Sequence, residues 1–274
     1  MKTKKIDEFY ASSVEGEWKR LVKDTFHQLE LDTTIKFLDK YLPKSGTILD
    51  AGGGPGRYTI ELAKKDYQMI LLDITPELLD KATRNIKKYG VKKNIKDVVH
   101  GNITDLSRLT DESFDAVLCL GGPLSHVEGE DNRIKAVTEL VRVAKKGAPI
   151  FISVIGKLGV LLKMLKHWPD ELASTEHFEK LWKVGDDDMW RMKYYCHFFL
   201  PDELTDIVES AGVEVVERVG LEGLAHFKED TEYVSKKFPK AWENWLAMHD
   251  ELCTNPNVFA TSDHMLIVGR KKKY

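Results

Sequence analysis

The chain has 274 residues, 42% of them hydrophobic, and a formal net charge of −3. That is enough apolar material for one large domain or one domain with a cap, and the near-balanced charge gives no general electrostatic case for nucleic-acid binding. Cys119, Cys196 and Cys253 are scattered and form no CxxC pair, which argues against zinc or a disulfide framework and suits a reducing, cytoplasmic setting.

The start, Met1 to Asp7, is charged and lacks the apolar core of a signal peptide. Residues from Ile6 to about Leu42 read as helical and carry Phe9, Tyr10, Trp18, Phe26, Phe37 and Tyr41, an N-terminal helical cap over 1–42. Pro43 to Gly46 is a turn signal. Thr47 to Ala51 then reads as the first strand and Arg57 to Lys65 as a helix. Met69 to Leu72 is a second strand ending at Asp73, after which Thr75 is placed to cap a helix with Pro76 at its first position, running to about Tyr89.

Ile95 to His100 is a third strand and Phe114 to Leu120 a fourth, an almost continuous apolar run of the kind buried on both faces of a parallel sheet. Asp131 to Lys146 is helical, and Pro149 to Ile155 is a fifth strand. The most apolar region, Ala148 to Leu165, is interrupted by Gly156, Lys157, Gly159 and Lys163, so it reads as a strand running into a helix and not as a membrane span. Regular alternation lapses over 157–193, which holds Trp168, Trp182, Trp190 and the acidic turn Gly185 to Asp188. It returns with a helix over Pro201 to Ala211 and a strand over Val213 to Val219. It lapses again over 221–263, an irregular piece with Trp242, Trp245 and Phe259, before a last strand from His264 to Gly269. Arg270 to Lys273 reads as a solvated basic tail. Strands alternating with helices predict an open, mostly parallel sheet with helices on both faces, an α/β doubly wound architecture.

The chemistry is concentrated in Ile48-Leu49-Asp50-Ala51-Gly52-Gly53-Gly54-Pro55-Gly56-Arg57-Tyr58. Apolar residues run into an acid, glycines follow at every second position, and an amphipathic stretch comes next: strand, tight turn, helix. Such a turn lets a ligand lie against the main chain. The dinucleotide fingerprint wants a further glycine where Arg57 stands, and no Gly-Lys-Ser/Thr phosphate loop is present. With its acid, its glycines and the downstream segments, the chain resembles the class I S-adenosylmethionine (SAM) dependent methyltransferases over about residues 43–155, 198–220 and 264–270.

The resemblance implies a Rossmann-like methyltransferase fold with a seven-stranded sheet, its domain spanning 43–270 with helical lid insertions at about 157–193 and 221–263, and 271–274 as a tail. The three segments outside the match are expected to fold together as a lid over the strand ends. The cofactor is S-adenosyl-L-methionine and the product S-adenosyl-L-homocysteine. Asp73 is implied to accept the ribose hydroxyls. Asp50 organises the loop and the methionine amino end, or braces the loop alone. Gly52, Gly54 and Gly121 bring main chain to the cofactor, and Gly56 serves helix packing. Asn102, where the family often has Asp, meets the adenine, with Ile74 and Ile103 as its apolar neighbours or as core.

His126, a few residues past the fourth strand, is the candidate proton acceptor. Tyr10, Tyr195, His197 and His226 are candidate acceptor-binding residues at the lid or rim, and Tyr58 packs on the cofactor or the sheet. Leu120-Gly121-Gly122-Pro123-Leu124 is not the Asp/Asn-Pro-Pro-aromatic motif of base and amide N-methylating members. The expected partner is a small-molecule methyl acceptor. Nucleic acid and membrane are not expected, and a homodimer is allowed. RNA or protein methylation, aminopropyl transfer and a non-catalytic SAM-binding module are the competing readings.

Overall fold

The computed structural model describes residues 6–187 and 194–273. Met1 to Lys5, Asp188, Trp190 and Lys193 fall outside the described residues.

Three helices open the chain, α1 (Ile6–Ala11), α2 (Val14–Lys19) and, after a 3₁₀ turn at Arg20–Val22, α3 (Thr25–Tyr41). Then come β1 (Thr47–Ala51), α4 (Arg57–Lys64), β2 (Gln68–Asp73), α5 (Pro76–Lys88), β3 (Ile95–His100), β4 (Ala116–Cys119), α6 (Glu130–Val143) and β5 (Pro149–Ile155). Helices α7 (Lys157–His167), α8 (Pro169–Leu172) and α9 (Thr175–Lys183) lead to a short ribbon of β6 (Asp186–Asp187) and β7 (Cys196–His197). The chain closes with α10 (Pro201–Ser210), β8 (Val213–Gly220), α11 (Lys228–Lys237), α12 (Pro239–Leu252), α13 (Pro256–Thr261) and β9 (His264–Lys271).

Among the described residues, seven strands form one sheet in the order β3-β2-β1-β4-β5-β9-β8. Strands β1 to β5 run parallel, while β9 lies antiparallel between β5 and β8. Successive residues of the central strands point to opposite layers. Leu49, Val117, Ile152 and Ile267 pack with Phe114, Leu140 and Val208 on one side. Ile48, Leu118, Phe151 and Leu266 pack with Leu38, Ile60 and Leu62 on the other. Each such side chain contributes about 1.5–3 kcal/mol by leaving water. β1 sends one connection to β2 and has β4 on its other flank, so the sheet changes winding direction at the carboxyl end of β1, where open α/β sheets hold ligands.

The ladder at β4 is shorter than its apolar run, because Phe114 and Leu120 lie outside the strand while remaining buried. Thr75 occupies the N-cap position of α5 but makes no side-chain capping bond; its N–H instead donates to Asp73 Oδ1 at 2.8 Å. The stretch 221–263, where strand–helix alternation lapses and a helical insertion is expected, holds three helices. Lys271 is no free tail: it pairs in β9 with Val213, and its Nζ donates to the carbonyls of Arg142 and Ala144.

Phe26 and Leu29 of α3 pack with Ala225, Trp245 and Leu246, joining the N-terminal helices to the 221–263 segment. The 157–193 segment has its own small core of Met164 and Leu181, closed by Cys196 and Phe198. No helix among the described residues is long and apolar enough to cross a membrane.

Candidate functional site

A cavity of about 300 Å³ opens at the carboxyl ends of β1, β2 and β4. Its floor is the loop Gly52–Pro55 and its sides include Asp73, Ile74, Asn102, Ile103 and Gly121. The loop takes its path because two glycines adopt left-handed backbone, Gly52 at φ +79° and Gly54 at φ +53°. A Cβ on Gly52 would stand 2.5 Å from Pro123 Cγ, so the loop and the turn after β4 meet there with no room for a side chain. A Cβ on Gly54 would project beside Leu78 and Asp73, at the cavity wall.

The two acids of the motif region act differently. Asp73, only 6% exposed, accepts from Gly54 N and Thr75 N, one bond to each oxygen at 2.8 Å. Burial outweighs those bonds and holds its carboxyl above the usual carboxylate range. Asp50 is fully buried and does not line the cavity. Its Oδ2 accepts from Thr59 N and Thr59 Oγ1 in the first turn of α4, while Oδ1 has no partner. Burial pushes its carboxyl up to about 6. Of the two roles expected for Asp50, the geometry gives it loop bracing. Asn102 lines the cavity, but its Oδ1 already accepts from Thr104 N at 3.0 Å, which leaves the amide nitrogen outward. Ile103 is buried and Ile74 half-buried, and both line the wall.

The opposite wall comes from the N-terminal helices: Ile6, Tyr10, Glu17, Arg20 and Leu21. Arg57, the first residue of α4, holds α2 in place: it donates to the Trp18 carbonyl at 2.6 Å and stacks its guanidinium 3.7 Å from the Trp18 ring centre. Among the described residues of the three expected lid segments, only this one reaches the cavity.

Tyr10 and His126, far apart in sequence, meet at this wall with Tyr10 Oη 3.2 Å from His126 Nε2. His126 Nδ1 lies 3.2 Å from the Tyr195 carbonyl. A carbonyl only accepts, so Nδ1 carries the proton and Nε2 receives the Tyr10 hydroxyl. Burial lowers the His126 pKa to about 4 and pushes the Tyr10 phenol well above its ordinary value, so the pair is neutral at physiological pH.

Tyr195, His197 and His226 do not line this cavity. The Tyr195 hydroxyl donates to Asp186 and accepts from Arg133; its one link to the site is the carbonyl that orients His126. His197 is clamped between Asp186 at 2.7 Å and Glu203 at 2.6 Å. His226 lines a separate cavity with Trp242 and Trp245. The expected place of these three at the rim of this cavity is corrected: the Tyr195 hydroxyl is hydrogen-bonded to Asp186 and the His197 ring to Asp186 and Glu203, both half-buried, while His226 faces the other cavity.

Arg20 and Glu17 were missed. Arg20 Nη2 packs against Gly121, where a Cβ would stand 2.9 Å away, so the guanidinium covers main chain just past β4. Nothing in Glu17-Trp18-Lys19-Arg20-Leu21 distinguishes it from any amphipathic helix end. Gly121 itself donates its N–H to Ser153 Oγ at 2.8 Å, and Tyr58 is buried at the cavity edge.

Residues 48–147 match the family model described as a methyltransferase domain. A glycine/sarcosine N-methyltransferase of Aphanothece halophytica is 33% identical over 112 residues, 40% of this chain and 41% of that one. The chain spans less than half the length of this and the other glycine/sarcosine relatives it matches. Among solved structures, a SAM-dependent methyltransferase of Methanosarcina mazei is similar with TM-score 0.59 at 20% identity, covering 87% of this chain and 98% of that one. The 1,6-didemethyltoxoflavin-N1-methyltransferase of Burkholderia thailandensis, solved with its acceptor and S-adenosylhomocysteine, is similar with TM-score 0.56 at 13% identity, covering 97% and 87%. The sheet order and helical layers are those of this fold.

Proposed function

We propose that the chain is a class I, Rossmann-like SAM-dependent methyltransferase and that it moves the methyl group of SAM to a nucleophilic oxygen, nitrogen, sulfur or carbon of a small-molecule acceptor, a reading supported by the methyltransferase-domain match over residues 48–147. The observation that carries the reading is the Asp73 carboxylate beside an open glycine loop at the point where the sheet changes winding direction.

The donor set fits an adenosyl amino acid. Each Asp73 oxygen accepts one main-chain N–H and retains lone-pair capacity for a ribose hydroxyl. Ile74 and Ile103 offer apolar surface to a purine, the Asn102 amide offers a polar edge, and Arg20 over Gly121 faces the amino-acid end. When bound, SAM supplies a methyl group on a sulfonium leaving group, which is the hard part of the chemistry.

The protein itself has to align the acceptor and exclude water, for which effective molarities reach about 10⁵–10⁸ M. Tyr10 is suited to alignment, because its proton is directed to His126 Nε2 and its oxygen is free to accept an N–H or O–H from the acceptor. A conjugate acid near 4 makes His126 a weak base, so the pair orients the nucleophile by hydrogen bonding instead of abstracting its proton. Because the N-terminal helices roof the cavity, a small acceptor fits better than a folded macromolecule. Two similar proteins, a glycine/sarcosine N-methyltransferase and the 1,6-didemethyltoxoflavin-N1-methyltransferase, are named for small-molecule acceptors, which supports that class. Three buried free cysteines suit a reducing cytoplasm.

Calorimetry with S-adenosylhomocysteine tests the cofactor half: no binding, or binding indifferent to Asp73→Ala, rules it out. A labelled-methyl assay on cell extract, separated by size, tests the acceptor half, and label confined to macromolecules overturns it.

A further inference from the structure

Behind Arg20 a chain of buried charges runs into the protein, away from the reacting groups. The Arg20 guanidinium makes a two-pronged pair with Glu30, Nη1 to Oε2 at 2.7 Å and Nη2 to Oε1 at 3.2 Å, and its Nε donates to Glu17 at 3.1 Å. Glu30, on α3, is 1% exposed. His264, the first residue of β9, places Nδ1 3.8 Å from Glu30 Oε2 and 2.6 Å from Glu222 Oε1. Glu222 is fully buried in the turn after β8, and its Oε2 accepts from His264 N at 2.8 Å and Ser262 Oγ at 3.0 Å. From α7, Lys163 pairs with Asp263 and also faces Glu222. The line therefore runs from the cavity wall through Arg20, Glu30, His264 and Glu222 to Ser262, linking the N-terminal helices to the last third of the chain.

Glu30, Glu222 and His264 each bring one ligand atom within 4.8 Å of the others, a spacing open to a metal ion. Arg20 argues against that use. It engages both oxygens of Glu30 and places a fixed positive charge beside them. The charge balance gives the cluster a different purpose. With the imidazole protonated, Arg20 and His264 balance Glu30 and Glu222. Without that proton, Glu222 faces only Lys163, which is shared with Asp263, and the Arg20 guanidinium is drawn inward by Glu30 and Glu222 with no cation between them.

We propose that His264 is a positioning residue for ligand binding: its imidazolium neutralises the buried Glu30–Glu222 pair and so leaves the outward N–H groups of Arg20 to the carboxylate at the amino-acid end of the adenosyl ligand. The inference rests on the cofactor reading of the cavity given above. Burial works against a charged His264, but Glu30 and Glu222 outweigh it and hold its pKa above the ordinary histidine range. A raised imidazole pKa means the charge is fully present below the ordinary value and is lost as pH rises through the raised one. Carboxylate recognition should then weaken on the alkaline side.

The test is calorimetry of the full chain with two ligands, S-adenosylhomocysteine and its decarboxylated analogue S-adenosyl-3-thiopropylamine, at steps upward from about pH 6, below the ordinary histidine value, to the alkaline limit at which the protein stays folded. The readout is the ratio of their affinities, which cancels losses common to both. In the wild-type protein the preference for the carboxylate-bearing ligand should fall by about tenfold across the series, the scale of one nearby charge. In His264→Gln, which keeps a hydrogen-bond donor for Glu222 but carries no charge, the preference should start low and stay flat. Arg20→Met should abolish it at every pH. A wild-type preference that does not move with pH, or a His264→Gln protein that keeps the wild-type preference at the acid end, overturns the proposal while leaving the cofactor reading standing. Failure of both ligands to bind at any pH overturns both. The wild-type series requires no variant to fold.

Discussion

The two walls of the cavity are made differently. The sheet-side wall is main chain: glycines in left-handed conformations, N–H groups turned to Asp73, and strand ends fixed by ladders on both flanks. The N-terminal wall is side chain: Tyr10 on His126, Arg57 on Trp18, Arg20 on Glu30. The first wall holds a shape that few residue types permit, so it is specified where it stands. The second is assembled by contacts across the whole chain and depends on buried charge for its order. A ligand enters between a rigid floor and a roof whose position is set by ion pairs.

That contrast can be broken most strongly at the floor. Asp73→Ala removes the charged acceptor and should weaken S-adenosylhomocysteine by about 10- to 150-fold, the scale of about 1.5–3 kcal/mol for hydrogen bonds to a charged group, as read by calorimetry. An unchanged affinity would move the ligand off the sheet end altogether.

The next effect separates the two floor acids. Burial pushes the Asp50 carboxyl up to about 6, so the folded protein holds that proton more tightly than the unfolded chain does. The contribution of Asp50 to stability is therefore most favourable below the unfolded value and declines as pH rises toward and past the folded one. Asp50→Asn removes this dependence. In urea denaturation, the difference between variant and wild type should shift in the variant's favour by about 1–3 kcal/mol between about pH 4 and about pH 7. A constant offset across that range would mean the carboxyl is not perturbed. Ligand affinity should fall only as far as the loop loosens.

Gly54→Ala should cost about 1–2 kcal/mol through the left-handed backbone and should also weaken the ligand, because the new Cβ enters the cavity wall. Gly56→Ala carries the same conformational cost on the helix side, so it should lower Tm with little change in affinity. Equal affinity losses in both would mean the loop senses only its own strain. The smallest effect belongs to the roof: Tyr10→Phe should reduce kcat/KM about two- to tenfold and leave S-adenosylhomocysteine binding unchanged, as for one lost hydrogen bond. A loss in binding instead would make Tyr10 part of the cofactor wall.

Ile48 to Tyr58 was legible because its physics is local: an apolar run, an acid and alternating glycines permit few backbones. Asp73 was legible because the end of a parallel strand fixes where its side chain goes. His126 and Tyr10 were legible one at a time, but nothing in the sequence announces that they touch. Arg20 was not legible, since its identity as a wall residue depends on Gly121, Glu30 and His264, and helical periodicity does not say which faces meet. The bounds of helix α11 inside its insertion were not legible for a related reason: Lys228–Lys237 is polar on nearly every side, with only Thr231 buried, so no apolar stripe marks where it starts and stops. His197 misled because an isolated histidine looks the same in sequence whether it faces a ligand or, as here, two carboxylates.

Strand β9 lies inside the sheet, between β5 and β8, and not at its edge. During synthesis β8 therefore has no strand to join until His264–Lys271 has left the ribosome, and Glu30 of α3 has Arg20 but not His264 beside it until the same segment arrives. The imidazole that balances the buried charges arrives with the strand that completes the sheet, so a nascent chain acquires its finished pocket wall and its last ladder in one event.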